Sequence, residues 1–339
     1  MQYVRLGRTG LEVSRTSFGV LPLQRTPMDE AIAILRRARE AGITFFDTAR
    51  AYSNSEEKLG AAFQGDHRVI LATKTAADAR SGVLEHLSVS LHNLRRDYVD
   101  LLQLHNPKTL PSATDPESAY QGLREARARG TARFIGITSH QLLLAIRAAE
   151  SGLYDTVQFP LSALSDEKDL GLIEVCRRHD VGLIAMKPLC GGLLSHIPAA
   201  FAFLCQFTTV VPIWGIQHLW ELEEFLNLEE NPPALTDEMR AVFTRLKVEL
   251  GKNFCRGCGY CLPCPVGIPI PMAARMAFLL RRAPWSNFIT DEWNEQMERI
   301  AQCTGCGECK KRCPYGLDTP DILKRMLDDY RQFRRAHSR

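Results

Sequence analysis

Eight short runs of apolar or β-branched residues alternate with amphipathic stretches of helical length between about residues 14 and 226. This alternation is typical of repeated βα units, in which parallel strands lie side by side and helices cover them. The candidate strands are VSRTSFGV, ITFFDTA, RVILATK, VDLLQLH, RFIGITS, TVQFP, GLIAMKP and TVVPIWG. Because eight such strands close a (β/α)8 barrel, the sequence predicts an α/β fold of the TIM-barrel type.

The chain is longer than one hydrophobic core usually serves. Its 339 residues exceed the roughly 250 to 300 residues at which single cores stop growing. After residue 250 the composition shifts toward Cys, Gly and Pro. We therefore predict a barrel over residues 1–250, a small and mainly α-helical domain over 251–330, and a basic tail over 331–339.

Hydropathy excludes several classes of protein. Hydrophobic residues make up 45% of the chain and charged residues 24%, and no apolar run reaches the roughly 18 residues that a membrane span needs. The first residues, MQYVRLGRTGLEVSR, lack the apolar stretch of a secretory signal. We expect a cytoplasmic protein that does not associate with membranes.

The cysteines indicate cluster ligation rather than disulfides, because eight of eleven fall into two runs after residue 254. They are Cys255, Cys258, Cys261 and Cys264 in the first run, and Cys303, Cys306, Cys309 and Cys313 in the second. Three cysteines spaced by two residues, with a further Cys-Pro, are typical of [4Fe-4S] ferredoxins. Paired CxxC motifs also build zinc ribbons, which is the alternative. We predict a ferredoxin-like domain with two [4Fe-4S] clusters.

The two runs predict crossed ligation. In two-cluster ferredoxins the fourth cysteine of one run ligates the cluster of the other run. We therefore expect Cys313 to complete the cluster of the first three cysteines in the first run, and Cys264 to complete the second cluster. The first run departs from the usual spacing, with two residues rather than three before its last cysteine.

Charge is distributed unevenly along the chain. Residues 1–250 hold 27 Lys and Arg against 30 Asp and Glu, a net −3, whereas residues 251–339 hold 15 against 9, a net +6. Two four-thiolate clusters carry about −2 each when oxidised, so much of this excess is counter-charge. We expect no nucleic-acid partner, and the remaining positive charge could attract an acidic electron-carrier protein.

Chemistry in a (β/α)8 barrel takes place at the carboxyl ends of the strands. The polar residues that close the candidate strands are Asp47, Lys74, His105, Ser139, Gln158 and Lys187. Tyr52 follows Asp47 by five residues and shares the same rim. A Lys held by a carboxylate lowers the pKa of a neighbouring Tyr from about 10 and makes proton donation feasible, while a neutral His can orient a carbonyl. Each of these residues alone is consistent with an ordinary polar side chain, but their occurrence together on one rim predicts a catalytic site.

The segments LGRTGLEVS, GITFFDTARAYSNSEEKLG, LATK, DYVDLLQLHNP and RFIGITSH resemble the aldo-keto reductase family over residues 1 to about 230. The resemblance implies hydride exchange between NADP or NAD and a small carbonyl or alcohol substrate. The family's catalytic tetrad of Asp, Tyr, Lys and His corresponds to Asp47, Tyr52, Lys74 and His105. Together with the cysteine runs, the chain resembles the subgroup that carries a ferredoxin-type 4Fe-4S domain at its C-terminus.

The resemblance also implies cofactor contacts. Thr138, Ser139 and Gln158 correspond to the residues that hold the nicotinamide amide, and Met186 replaces the aromatic residue that stacks on the ring. The remaining implied contacts are Lys187, Pro188, Leu189 and Gly191 after strand seven, and Gly215, Gln217, His218 and Glu224 after strand eight. Because the segment GIQHLWELEEF has no Lys or Arg for a 2′-phosphate, we expect weak discrimination between NADPH and NADH.

A second function, from another class, fits the same residues. A nucleotide-binding redox sensor or electron-transfer subunit with little turnover, like the aldo-keto-type β subunits of potassium channels, would also keep the barrel and its cofactor. An intact tetrad favours the enzyme.

Overall fold

The computed structural model describes residues 1–192, 194–251, 254–282 and 284–337. They form two compact units, Met1–Met239 and Arg240–Arg339. The predicted boundary after residue 250 marks the start of the cysteine-rich composition, whereas packing groups the chain from residue 240 onward with the second unit.

The first unit begins with an antiparallel hairpin of strands β1 (Tyr3–Arg5) and β2 (Glu12–Ser14), joined through a 3-10 turn at Gly7–Thr9. Leu6, Leu11 and Val13 of this segment pack with Phe45 and Leu101 in one buried cluster. The prediction of a single strand over VSRTSFGV is therefore wrong. The chain turns between Ser14 and Ser17, so that only the second half of that run enters the barrel.

Eight parallel strands then form a closed barrel, which confirms the predicted fold class. They are β3 (Ser17–Gly19), β4 (Phe45–Asp47), β5 (Ile70–Thr75), β6 (Val99–His105), β7 (Ala132–Thr138), β8 (Thr156–Pro160), β9 (Gly182–Met186) and β10 (Val210–Gly215). Each strand pairs with the next along the chain, and β10 closes the ring against β3.

Helices connect the strands and cover the barrel. They are α1 (Met28–Glu40), α2 (Ser55–Phe63), α3 (Arg80–Leu94), α4 (Ala119–Ala128), α5 (Leu142–Glu150), α6 (Glu167–Arg178), α7 (Ile197–Cys205) and α8 (Leu219–Glu230). The next helix, α9 (Asp237–Gly251), contains the boundary between the two units. In α1 the side chains of Ala31, Ile34, Leu35 and Ala38 are buried, as the 3.6-residue period predicts.

The barrel register places the predicted site residues on one rim. Asp47 closes β4, and His105 closes β6 opposite Thr138 of β7. Thr138 in turn lies opposite Gln158 of β8. Lys74 is the penultimate residue of β5. Since all eight strands are parallel, these side chains share the carboxyl end of the barrel.

The second unit contains helices α10 (Ile270–Ala273), α11 (Met276–Arg282), α12 (Asp291–Glu298), α13 (Glu308–Lys311) and α14 (Thr319–His337). Thirteen of the described residues are buried in its core, among them Met276, Met297, Leu323 and Tyr330. Residues 331–337, predicted as a separate basic tail, continue α14, because Arg331 and Arg334 bond to Glu298 and Asp291 of the neighbouring helix. Across the described ranges, no helix is long and apolar enough to cross a membrane.

Candidate active site and cluster cavities

A buried ion pair lies at the centre of the barrel rim. Lys74 Nζ donates to Asp47 Oδ2 over 2.5 Å and to the carbonyl oxygen of Thr48 over 2.6 Å. Both charged residues are only 2% exposed. Burial opposes the charged form of Lys74, but the charge of Asp47 and the hydrogen bonds with Asp47 and Tyr52 outweigh it and raise the lysine pKa above its ordinary value. The ammonium therefore stays protonated at neutral pH.

Two glutamine side chains complete the surroundings of Asp47. Gln103 Nε2 donates to Asp47 Oδ1 over 3.2 Å, and Gln158 Nε2 donates to Oδ2 over 3.3 Å. Their Oε1 atoms are buried and have no hydrogen-bond partner. Buried amide oxygens without partners are unusual, so this pair of acceptors is available to a bound group. Gln103 was not among the predicted site residues.

Tyr52 and His105 lie next to this ion pair. The Lys74 ammonium is 5.0 Å from the centre of the Tyr52 ring. The rings of Tyr52 and His105 meet edge to face, with centroids 5.5 Å apart at 82°. The structure thus brings the four residues of the predicted tetrad together. Burial raises the pKa of Tyr52 and outweighs the nearby Lys74, so the net shift is opposite to the one predicted from the lysine alone.

His105 is held neutral. Burial lowers its pKa to about 3, and the positive charges of Lys74 and Lys187 add to the effect. A neutral imidazole carries one N–H donor, which suits a group that hydrogen-bonds to a carbonyl oxygen. Lys187, predicted from its place after β9, is close enough to contribute charge to this site.

Thr138, Ser139 and Gln158, which the sequence predicted to hold a carboxamide, differ in the hydrogen bonds that their side chains already make. The Thr138 hydroxyl accepts from the backbone N–H of Asn106 over 2.9 Å. The Ser139 hydroxyl accepts from the N–H of Gln141 over 2.9 Å and donates to its carbonyl over 3.2 Å. Gln158 alone presents a buried oxygen without a partner. The structure therefore favours Gln158 over the two hydroxyls as an amide-binding group.

The loop after β9 is a tight turn. Lys187 has a φ of 57° and Gly191 a φ of 68°, both in the left-handed region. The N–H of Cys190 donates to the carbonyl of Lys187 over 2.8 Å, and the thiol lies 2.9 Å from the Ser162 hydroxyl. Met186 and Leu189 are half-buried and Pro188 is buried. Residues 186–191 therefore form one turn beside the rim, where the sequence predicted cofactor contacts.

An arginine that the sequence did not predict contacts the loop after β10. Arg25, from the segment after β3, donates to Gln217 Oε1 over 2.5 Å. The Glu221 carboxylate accepts from the backbone N–H groups of Gln217 and His218, over 2.6 and 3.0 Å, and caps α8. The Arg25 guanidinium and the Glu221 carboxylate therefore each contact this loop, which supplies no Lys or Arg of its own.

An open groove of about 780 Å³ runs along α8 beyond this loop. Its walls include Glu30, His218, Trp220 and Glu224. The His218 and Trp220 rings stack with centroids 6.1 Å apart. Glu224, predicted as a cofactor contact, lies in this acidic groove. Gly215 closes β10, and a Cβ there would lie 3.1 Å from Pro22 Cγ.

The second unit contains two cavities lined by cysteines. Cys255, Cys258, Cys261 and Cys313 line the first cavity. Cys264, Cys303, Cys306 and Cys309 line the second, together with Cys261. The last cysteine of each run therefore lies with the first three of the other.

The cysteine thiols line the wall of each cavity and do not converge on a single point. Within the ranges that the structure covers, no three His, Cys, Asp or Glu side chains converge closely enough to hold a single metal ion. A zinc ribbon needs four sulfurs about 2.3 Å from one ion. A cubane cluster needs thiolates spread around a larger volume, which fits these cavities better.

Known proteins match both units. A family model described as the aldo/keto reductase family matches residues 16–198, and one described as a 4Fe-4S dicluster domain matches residues 254–318. The aldo-keto reductase YhdN of Bacillus subtilis strain 168 is 30% identical over 215 residues, covering 58% of this chain and 64% of that relative. A probable voltage-gated potassium channel subunit beta of Arabidopsis thaliana is 28% identical over 220 residues, covering 58% and 66%.

The chain thus spans slightly under two thirds of the length of these two relatives. A solved structure with a similar fold is the aldo-keto reductase AKR11C1 of Bacillus halodurans in its holo form. Its TM-score is 0.63 at 22% identity, over 73% of this chain and 96% of that one. The aldo/keto reductase match covers more than half of the sequence. The chain therefore belongs to the aldo/keto reductase family and carries a 4Fe-4S dicluster domain after its barrel.

Proposed function

We propose that the barrel is an NAD(P)-dependent oxidoreductase that reduces a carbonyl or oxidises an alcohol. The observation that carries this proposal is the buried Asp47–Lys74 ion pair, which lies against the Tyr52 ring with His105 at its edge. Isolated buried charges are costly, so an ion pair kept at the rim of a barrel suggests a catalytic purpose.

Each residue of the tetrad has a distinct task. Tyr52 stays protonated at neutral pH, because burial raises its pKa, and it can therefore donate a proton to a carbonyl oxygen. The Lys74 ammonium stabilises the tyrosinate that donation leaves behind, and Asp47 holds that ammonium in place. Neutral His105 donates a hydrogen bond that orients the carbonyl. A bound nicotinamide would supply the hydride.

The rim fits a nicotinamide. The unpartnered Oε1 of Gln158 is a ready acceptor for the N–H of a carboxamide, and the residues 186–191 lie beside it at the ends of neighbouring strands. Arg25 and Gln217 offer donors to phosphate oxygens at the loop after β10. We propose that these residues bind NADP or NAD.

The test of the catalytic proposal is Tyr52→Phe. We expect carbonyl reduction to fall by at least about a hundredfold, because the transferable proton is lost, while nucleotide affinity changes little. Steady-state rates with a panel of aldehydes and ketones, beside nucleotide titration, measure both quantities. Tyr98→Phe is the matched control, since Tyr98 precedes β6 at the opposite end of the barrel. Retained turnover in Tyr52→Phe would contradict the assignment.

A second function is favoured by one comparison, the similarity to a potassium channel β subunit. A redox sensor or electron-transfer subunit would bind nucleotide with little turnover. If the loaded wild-type protein binds nucleotide but turns over none of the aldehydes and ketones, this second function replaces the first.

We propose that the second unit holds two [4Fe-4S] clusters. Cys255, Cys258, Cys261 and Cys313 would ligate one, and Cys303, Cys306, Cys309 and Cys264 the other. The support is the lining of the two cavities, which groups the thiols in this crossed way. Each cluster would supply one-electron redox chemistry.

We further propose that this unit exchanges single electrons with a partner protein. The alternative is that the clusters only stabilise a segment with little core, but thirteen buried residues already form a core here. An acidic carrier is the partner that the net charge favours. The local cations are partly neutralised, however, since Lys310 pairs with Asp318 and Lys311 with Glu308.

Linking such clusters to hydride chemistry requires a group that passes both electrons of a hydride one at a time, such as a flavin. Anaerobic mixing of the protein with reduced nicotinamide, followed by absorbance and EPR, tests the link. If cluster redox state never responds to nicotinamide or substrate, and a cluster-depleted protein keeps full activity, the clusters are structural.

A further inference from the structure

One guanidinium lies against the ligand loop of the first cysteine cavity. Arg275 lies between α10 and α11 and is half-buried. Its Nε donates to the carbonyl of Pro271 over 2.8 Å, and its Nη2 lies 3.4 Å from Met272 Sδ. These contacts fix the planar group and leave its Nη1 side directed at the chain between Cys255 and Cys258.

The contact with that loop is direct. A Cβ on Gly257 would lie 2.8 Å from Arg275 Cζ and 2.9 Å from Nη1, so the guanidinium packs on the glycine backbone. Gly257 also has a φ of 75°, which a side chain would strain. The guanidinium therefore lies against the segment that joins Cys255 to Cys258.

The second cavity also has charged residues around it. The residues that line it, among those the structure describes, include Glu308 and no Lys or Arg. Lys311 and Arg312 both pair with Glu308, and Arg299 Nη1 would lie 3.3 Å from a Cβ on Gly267, three residues after Cys264. The first cavity has Arg256 in its lining and Arg275 behind its ligand loop. Cations therefore lie near both cavities, and Arg275 packs on the ligand loop of the first.

We propose that Arg275 is a positioning residue that raises the reduction potential of the cluster held by Cys255, Cys258, Cys261 and Cys313. This inference rests on the proposed two-cluster domain. One electron from a one-electron donor changes the charge of a cluster with four thiolates from about −2 to about −3. No bond is broken and no proton is needed. A fixed positive charge beside the ligand loop stabilises the more negative reduced form, so it favours reduction of this cluster.

The test is an EPR-monitored redox titration of the full, cluster-loaded chain with dithionite and mediators. Arg275→Gln removes the charge with a similar side-chain length, and Arg275→Lys keeps the charge. Arg325→Gln is the matched control, because it removes one positive charge from the exposed face of α14, where Arg325 pairs with Asp321. Cys258→Ser and Cys306→Ser identify which redox step belongs to which cluster.

We expect Arg275→Gln to lower the equilibrium constant for reducing the first cluster at least tenfold, which is about 59 mV for one electron. In Arg275→Gln, the equilibrium constant for reducing the second cluster should stay within about threefold of the wild-type value. Arg275→Lys and Arg325→Gln should keep the reduction constants within the same limit, which is a smaller shift by the same relation. Equal shifts in both clusters, or none in the first, would overturn the proposal.

Two results distinguish a failure of this inference from a failure of the two-cluster proposal on which it rests. If the wild-type protein holds a single cluster or zinc, the two-cluster proposal fails before Arg275 is tested. If Arg275→Gln does not assemble its clusters, Arg275→Lys carries the test. A tenfold loss in the lysine variant would show that positive charge is not what sets the potential.

Discussion

At the scale of single residues, the Asp47 carboxylate accepts hydrogen bonds from Lys74, Gln103 and Gln158. The sequence predicted the ion pair, because both residues close neighbouring strands. It did not predict Gln103, although a signal was present. In VDLLQLH the glutamine precedes His105 by two residues, and side chains two apart in a strand face the same side. A polar residue inside an apolar strand, on the face of a site histidine, is the pattern to look for.

His105 predicts a pH dependence of stability. Its folded pKa is about 3, below the ordinary value of 6.5, so the unfolded chain binds more protons between these values. Stability is therefore fully present above pH 6.5 and falls as the pH drops toward 3, by about 1.4 kcal/mol per unit. Between pH 7.5 and 5.5 we expect the wild type to lose about 1.4 kcal/mol more than His105→Gln.

Chemical denaturation of both proteins at the two pH values measures this difference. The control is His92→Gln, an exposed histidine near the end of α3. An equal pH response in the wild type and His105→Gln would mean that the imidazole is not held neutral in the folded protein.

Arg25 bears on the choice of nucleotide. The sequence showed no cation after Gly215, but the fold brings Arg25 to Gln217 from a segment about 190 residues earlier, since β10 closes the barrel against β3. No local pattern could reveal this contact. With the Glu221 carboxylate on the same loop, we expect the wild type to bind NADPH and NADH within about tenfold of one another.

Arg25→Gln should then weaken NADPH binding about tenfold and leave NADH nearly unchanged, because only NADPH carries the 2′-phosphate. Isothermal titration with both nucleotides checks this, with Arg36→Gln on the exposed face of α1 as the control. Equal losses for both nucleotides would place Arg25 away from the 2′-phosphate.

At the scale of elements, the agreement between prediction and structure depends on how much of a strand is buried. The runs VDLLQLH and TVQFP coincide with β6 and β8, whose residues are buried almost throughout. The run VSRTSFGV was misread, because a hairpin strand and a barrel strand follow each other with only two residues between them. Periodicity alone cannot place a turn inside a short apolar run.

The hairpin offers a matched pair of substitutions. Gly7 has a φ of 49°, and a Cβ there would lie 2.1 Å from the backbone nitrogen of Gly182 at the start of β9. Gly10 has a φ of 67° but nothing within 4 Å. We expect Gly7→Ala to lower the free energy of unfolding by about 3 kcal/mol or more, and Gly10→Ala by about 1 kcal/mol. Denaturant unfolding measures both, and equal effects would mean that the hairpin does not pack against β9 as described.

At the scale of the whole molecule, the chain separates two kinds of chemistry into two units. The barrel holds the buried Asp47–Lys74 ion pair at one rim, whereas the second unit surrounds its cysteines with a core of its own, against which six of the eight pack. Composition revealed this division, since cysteines and positive charge accumulate after residue 250. Composition could not reveal that Arg275 lies against the loop containing Gly257, because no spacing rule connects the two.

The crossed pairing of the cysteine runs can be tested by double substitution. If Cys313 and Cys258 ligate the same cluster, Cys313→Ser combined with Cys258→Ser damages that cluster alone, and about four iron and four sulfide remain. Cys313→Ser combined with Cys306→Ser then damages both clusters and leaves neither complete. Uncrossed ligation reverses these two results, because Cys313 would share its cluster with Cys306. Iron and sulfide analysis with EPR of the dithionite-reduced proteins distinguishes the two cases, and about eight iron in the wild type is the starting point.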